Sequence, residues 1–152
     1  MRHRPTRIAL AALLTALTAL ALVPLANGAG ARDPKAKDFV GYWMGTDPLD
    51  GGDSRRGITE NDDGTFSMAG RDSFLSLCDE TDRGIATFDD AALTGSGLTT
   101  DELVLACFDN GATVTLKAAY TVLDRGMIVE TVRTQDDALV TEIVFFRVSD
   151  DR

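Results

Sequence analysis

The chain has 152 residues, and its 24 acidic and 15 basic residues give a formal net charge of −9 at pH 7. An acidic protein of this kind repels nucleic acids and anionic membranes, so we expect neither as a partner. The only histidine is His3, in a segment expected to be removed, which excludes His-assisted nucleophiles, His-ligated haem and nearly all catalytic zinc sites.

The first predicted element is an export signal over residues 1–31. It has a positive start, an apolar run and small residues at the cleavage site: Arg2, Arg4 and Arg7, then Ile8 to Val23, then Ala29 to Ala31. The run is short for a transmembrane anchor, which needs about 20 apolar residues. We expect cleavage after Ala31, with Ala29 as the alternative, and a secreted or periplasmic chain without membrane association.

Residues 32–38 are predicted to form a flexible polar arm, and residues 39–149 a single domain. All 24 acidic residues follow the signal, whereas three of the 15 basic residues lie within it, so residues 32–152 carry a formal charge of −12. Carboxylate-pair hydrolysis needs only Asp and Glu, but no pair stands out among so many acidic residues. We therefore expect no enzyme activity and no cofactor.

Almost everything after residue 38 alternates apolar and polar residues in short runs separated by Gly-containing turns. The predicted strands are Phe39–Thr46, Arg56–Asn61, Thr65–Gly70, Ser73–Cys78, Ile85–Phe88, Glu102–Phe108, Ala112–Leu123, Met127–Thr134 and Leu139–Val148. Residues 89–100 are the least legible stretch, in which Gly95-Ser96-Gly97 marks a loop.

This pattern predicts an all-β fold, a single antiparallel up-and-down meander of eight to nine strands. Such a sheet either leaves two edge strands with unpaired backbone groups or closes on itself. About eight strands form a small closed barrel. The alternative is a two-sheet sandwich. Long crossover connections, which a Greek key needs, are missing from the pattern.

The first predicted strand begins Phe39-x-Gly41-x-Trp43 and the last contains Arg147. This arrangement resembles lipocalins and the wider calycin group of small β-barrels. The resemblance implies that Gly41, Trp43 and Arg147 close the barrel, with the guanidinium packed across the indole ring. Such a cation–π contact contributes about 0.5–2 kcal/mol. The chain departs from lipocalins in its shorter length and in lacking a helix before the final strand.

Cys78 and Cys107 are the only cysteines, and export makes a disulfide between them the expected state. Closing this loop would stabilise the fold by about 3–4 kcal/mol. Two buried free thiols are the alternative. A strand at Ile85–Phe88 between them would separate the two residues by about 9–10 Å, beyond the Cα spacing of about 7 Å that a disulfide allows.

Four large side chains are predicted to point into the barrel and to contact a ligand: Phe66, Met68, Phe74 and Tyr120. The leading hypothesis is a non-enzymatic lipocalin-like barrel that binds a small apolar or amphipathic molecule. The alternative is a protein-binding module, such as a secreted inhibitor of an extracellular hydrolase.

We expect no metal site. Three carboxylates in one loop could attract calcium, but their spacing fits no EF-hand: Asp47, Asp50 and Asp53. Arg55 and Arg56 follow this loop directly and are expected to neutralise it.

Overall fold

The computed structural model describes residues 33–73, 83–108 and 110–149. These residues form one short helix and eight strands: α1 (Ala36–Phe39), β1 (Gly41–Thr46), β2 (Asp53–Glu60), β3 (Phe66–Asp72), β4 (Gly84–Thr94), β5 (Gly97–Cys107), β6 (Thr113–Asp124), β7 (Met127–Arg133) and β8 (Leu139–Ser149). Each strand pairs antiparallel with the next, and β8 pairs with β1. The predicted all-β closed meander is confirmed, and the sandwich alternative is wrong.

Strand β6 shows why these sequences form a barrel wall. Leu116, Ala118 and Tyr120 are buried inside the barrel, whereas Thr115 is exposed and Lys117 half-buried on the outside. Successive side chains of a strand point to opposite faces, so a run of alternating apolar and polar residues lines a core on one side only. The same alternation, repeated around the barrel, builds one hydrophobic core.

Strands β4 and β5 are longer than the sequence predicts, because they include residues 89–100. Their regular pairing stops after Thr87 and resumes at Ala92, which is the kind of irregularity that interrupts an alternating pattern. Gly97 opens β5 with a φ of +143°. A Cβ at this position would lie 2.1 Å from the carbonyl oxygen of Tyr120, so only glycine fits.

The predicted strand Ser73–Cys78 does not appear among the described residues. Ser73 belongs to no strand, and the rest of the prediction lies outside the residues that the structure describes. β3 ends at Asp72 and β4 begins at Gly84, and these two residues pair with each other. The two strands are therefore neighbours, and the described strand count is eight.

The helix α1 occupies part of the stretch that the sequence predicts as a flexible arm. Its first turn is closed by the Asp38 carboxylate, which accepts a hydrogen bond of 2.9 Å from the Lys35 amide. Phe39, its last residue, is fully buried, and its carbonyl accepts a 2.7 Å hydrogen bond from Trp43 Nε1. The helix thus packs against the end of the barrel that Trp43 occupies.

The barrel therefore has two different ends. The end that carries α1 and the turns after β2, β4 and β6 is called the helix end below. The opposite end, which carries the connections after β1, β3, β5 and β7, is called the loop end.

Candidate functional site

At the helix end, Arg147 joins the last strand to the first. Its guanidinium carbon lies 4.3 Å from the centroid of the Trp43 ring, and the two residues are register partners in the β1–β8 pair. The guanidinium also donates to three main-chain carbonyls: those of Val40 at 2.6 Å, Asp38 at 2.8 Å and Lys37 at 3.1 Å. One side chain therefore holds β8, β1 and α1 together.

Gly41 begins β1 inside this closure. It is buried and has a φ of +132°, a backbone conformation that side-chain-bearing residues rarely adopt. The glycine of the lipocalin-like motif is thus required by the backbone. This role differs from that of Trp43, whose ring fills the core.

The barrel interior contains a charged network rather than apolar side chains alone. Arg56 donates two 3.0 Å hydrogen bonds to the two carboxylate oxygens of Glu130, and a third, of 2.8 Å, to Asp72 Oδ1. Tyr120 donates its hydroxyl proton to Glu130 Oε1. The Arg56 guanidinium also lies 5.2 Å from the ring centroid of Phe145. All five side chains are buried, and the protein's own groups accept hydrogen bonds from all three guanidinium nitrogens.

Burial and charge act in opposite directions on the ionisable groups of this network. Burial disfavours the charge on Arg56, but the carboxylates of Glu130 and Asp72 outweigh it and hold the pKa of Arg56 well above its ordinary value. Burial raises the pKa of Tyr120 well above its ordinary value, and the charge of Glu130 raises it further. Tyr120 therefore stays a neutral hydrogen-bond donor in the folded protein.

The expectation that Arg56 neutralises the loop carboxylates is wrong, because its side chain points into the barrel. The signal was present in the sequence, since Arg56 stands two residues before the buried Ile58 and so shares its face. Asp47 instead accepts hydrogen bonds from the Leu49 amide at 2.9 Å and from Thr141 Oγ1 at 2.7 Å. This carboxylate braces its own loop against β8.

The described residues contain no group of three or more side chains placed to hold a metal ion. The Asp50 carboxylate accepts a 2.8 Å hydrogen bond from the Gly52 amide, within its own turn. The loop carboxylates are thus used as turn-forming groups.

Three of the four predicted ligand contacts lie in the core. Phe66, Met68 and Tyr120 are each no more than 3% exposed, and the Tyr120 ring packs 5.8 Å from that of Phe88. Phe74 lies outside the described residues. A cavity of about 30 Å³ lies inside the barrel, between the charged network and the loop end. Such a space holds about one water molecule.

Cys107 ends β5 and is buried. Its register partner Gly84 begins β4 and also pairs with Asp72, so β4 lies between Cys107 and the end of β3. Cys78 itself lies outside the described residues, and the predicted disulfide stays a prediction. The structure does place the predicted strand Ile85–Phe88, as part of β4, between β3 and β5.

The outside of the barrel carries an apolar surface where the first strand, β1, pairs with the last, β8. Ten large apolar side chains are exposed in the described part of the chain, and five of them lie on the outward face of β1 and β8. Two small residues, on β2 and β3, continue this surface. We call it the outer apolar face: Tyr42, Met44, Gly57, Ala69, Val144, Phe146 and Val148.

Tyr42 stands at the centre of this face with two grooves beside it. Its ring lies over Gly57, where an added Cβ would come within 3.1 Å of the ring. The groove toward the loop end has a volume of about 500 Å³ and is bordered by Arg55 and Arg71. The groove toward the helix end has a volume of about 340 Å³ and is bordered by Asp89. The face is therefore apolar in the middle and oppositely charged at its two edges.

Comparisons with protein-family models, with curated proteins and with solved structures found no match. Among the described residues, no helix combines the length and the apolarity needed to cross a membrane.

The Tyr120 contact predicts a loss of stability at alkaline pH. Because the folded-state pKa is raised, the stabilising contribution is complete below the unfolded value of about 10 and is lost as pH rises above it. Tyr42 is the only other tyrosine, so the Tyr42→Phe variant leaves Tyr120 as the sole phenol. In an alkaline titration of this variant, we expect phenolate absorbance to appear only together with the circular-dichroism change of unfolding. Phenolate absorbance in a still folded barrel would contradict the buried contact.

Proposed function

We propose that this protein is a non-enzymatic, lipocalin-like protein-binding module, and that the outer apolar face is its contact surface. The observation that carries the proposal is the concentration of exposed apolar side chains on two adjacent strands. Continuous exposed apolar surface is rare on soluble monomers and marks interaction sites. An exposed Tyr and Phe at its centre are the residue types that anchor protein interfaces.

The interior offers less support for binding a small molecule. Its space at the loop end is about 30 Å³, whereas ligand pockets measure about 300–1,000 Å³. Arg56, which could otherwise bind an anionic headgroup, already donates from all three of its guanidinium nitrogens to Glu130 and Asp72. An apolar ligand would therefore have to displace packed side chains and expose a buried ion pair.

The charge around the face defines the chemistry of the partner. Arg55 and Arg71 pair with each other across β2 and β3 and border the larger groove. Like charges directly opposite each other on a sheet are destabilising, so a carboxylate between them is favourable. The partner is a protein surface that presents apolar side chains next to acidic groups.

The site of action that we propose is outside the cytoplasm. The predicted signal over residues 1–31 supports this location. So does the pair Cys78 and Cys107, whose bridge would hold the β3–β4 connection next to β5. Intact-mass measurement of the exported protein tests both points. We expect a chain that begins at Arg32 or Gly30 and is two hydrogens lighter than its reduced form.

The contact surface is tested by placing one long charged side chain on each of two opposite walls of the barrel. Ala69 lies outward on β3 within the face, and Ala119 lies outward on β6 across the barrel. We expect the Ala69→Arg variant to lose its partner in crosslinking with mass spectrometry from the exported fraction of the source cells. The Ala119→Arg variant should keep the same partner, and both should keep the wild-type circular dichroism.

A partner that crosslinks equally well to the Ala69→Arg variant would refute the proposed surface. Native mass spectrometry provides the second arm of the test. A small molecule retained by the purified wild-type barrel, together with no crosslinked protein, would favour the interior-ligand hypothesis instead.

A further inference from the structure

The outward residues at the centre of the barrel wall form a row across four strands. Tyr42 pairs with Gly57, Gly57 with Ala69, and Ala69 with Thr87, so these four residues lie side by side on β1, β2, β3 and β4. We call them the central row. The row separates the larger groove from the smaller one, since its first three members line both.

The central row also separates positive from negative charge. Two residues toward the loop end, the outward pair is Arg55 and Arg71. Two residues toward the helix end, the outward pair is Thr59 and Ser67. Ser67 Oγ donates a 3.2 Å hydrogen bond to the carbonyl oxygen of Asp89, which places Asp89 beside that pair. The two charged edges lie about 7 Å from the row on either side, because a strand rises about 3.4 Å per residue.

We propose that the partner of the outer apolar face is a second copy of this chain, docked about a twofold axis along the central row. The proposal rests on the proposed function and names the partner of the same surface. A rotation about an axis that lies in the interface, perpendicular to the strands, reverses the strand direction of the second copy. It therefore places Arg55 and Arg71 of each copy, which we call the arginine edge, against the edge of the other copy that carries Asp89.

This arrangement satisfies the requirements of a twofold interface. Such an interface uses one patch on both subunits, so the patch has to be complementary to itself. The face meets this condition, since Arg71 of one copy faces Asp89 of the other and the pairing occurs twice. Tyr42 lies on the axis and meets its own counterpart, and aromatic pairs favour such contacts.

A second copy also fits the charge of the whole chain. Residues 32–152 carry a formal charge of −12, so two copies repel each other in most orientations. At the arginine edge, the paired Arg55 and Arg71 reverse that repulsion locally. Like-charge contacts suppress wrong orientations of encounter, which leaves the Arg71–Asp89 orientation favoured.

Sedimentation velocity of the purified mature protein tests the proposal at fixed ionic strength, over about 1 µM to 1 mM protein. We expect a dimer, and we expect Arg71→Glu and Asp89→Arg each to weaken it at least about tenfold. The double variant R71E/D89R should recover most of the wild-type dissociation constant, because each reversed pair attracts again. The control is Arg125→Glu, an equal charge change in the turn after β6.

The axis itself is tested by Ala69→Cys, because a residue on a twofold axis faces its own copy. A short thiol-to-thiol crosslinker should give a covalent dimer of this variant, and Ala119→Cys, on the opposite wall, should give no covalent dimer. A wild-type protein that is monomeric throughout would overturn the proposal. So would a dimer that ignores the charge reversals or that fails to crosslink through Ala69→Cys.

These outcomes separate the two proposals. If the protein sediments as a monomer but Ala69→Arg still abolishes capture of a different protein, the second copy is wrong and the contact surface stands. If Ala69→Arg changes neither dimerisation nor capture, both proposals fail.

Discussion

Replacing Glu130 with leucine should be among the most destabilising single changes in this protein. The substitution removes the two hydrogen bonds between Glu130 and the Arg56 guanidinium and leaves the Tyr120 hydroxyl without its acceptor. Each buried donor left without an acceptor costs about 1–3 kcal/mol, so three such donors together make a large loss, although Asp72 still balances the charge of Arg56. Urea unfolding, followed by the fluorescence of the single Trp43, measures the loss.

The exposed pair Lys117–Asp137 is the matched control. Its nitrogen and oxygen are 2.8 Å apart, the same distance as the Arg56–Asp72 contact, but the pair lies at the surface. Lys117→Ala should leave the unfolding free energy almost unchanged, because water screens an exposed pair. If Glu130→Leu is no more destabilising than Lys117→Ala, the interior network has been assigned the wrong energetic role.

A triple variant separates the cost of breaking the network from the benefit of having it. Apolar residues of similar volume in place of Arg56, Asp72 and Glu130 remove the three charges of the network together. Buried ion pairs replaced in this way often leave stability unchanged or improved. We expect R56M/D72L/E130L to be more stable than Glu130→Leu alone.

The second large effect is expected for Arg147→Ala at the helix end. The change removes the contact with Trp43 and three charge-assisted hydrogen bonds to main-chain carbonyls. We expect a loss of about 2–4 kcal/mol, since the carbonyls regain some hydration when the side chain is gone. The Trp43 ring, only 1% exposed in the native protein, should become accessible to acrylamide quenching.

Arg147→Lys tests which part of the side chain matters. Lysine keeps the positive charge but lacks the planar fork that reaches several carbonyls at once. The stability of this variant should lie between those of the wild type and Arg147→Ala. Equal stability of the lysine variant and the wild type would mean that charge over the indole ring suffices for closure.

These two regions explain how an outer wall can be free for binding. Closure at the helix end is carried by Arg147 and α1, and the interior is filled by core side chains and the Arg56 network. Neither depends on what covers Tyr42 or Phe146 on the outside. Substitutions on the outer apolar face should therefore alter binding with little effect on folding.

The alternation of side chains determined most of the fold from sequence. In β3 and β6 it identified the inward Phe66, Met68 and Tyr120, and the resemblance picked out Gly41, Trp43 and Arg147 in the first and last strands. The same reasoning missed the full length of β4 and β5, because irregular pairing near Thr87 interrupts the period of two. The alternation of apolar and polar residues predicts strand bounds well where the strand pairing is regular, and poorly where the pairing is irregular.

The tertiary structure alone decided what the barrel contains and what it presents. Arg56 and Glu130 are 74 positions apart, and only closure of the barrel brings their side chains within 3.0 Å. The size of the interior likewise depends on the summed volumes of side chains from eight strands, which no single segment reveals. The outer apolar face exists because the first and last strands are neighbours, so Met44 and Phe146 adjoin. Sequence thus determined which way each side chain points, and the closed sheet decided which side chains meet, since contacts between distant segments are set by strand register and closure.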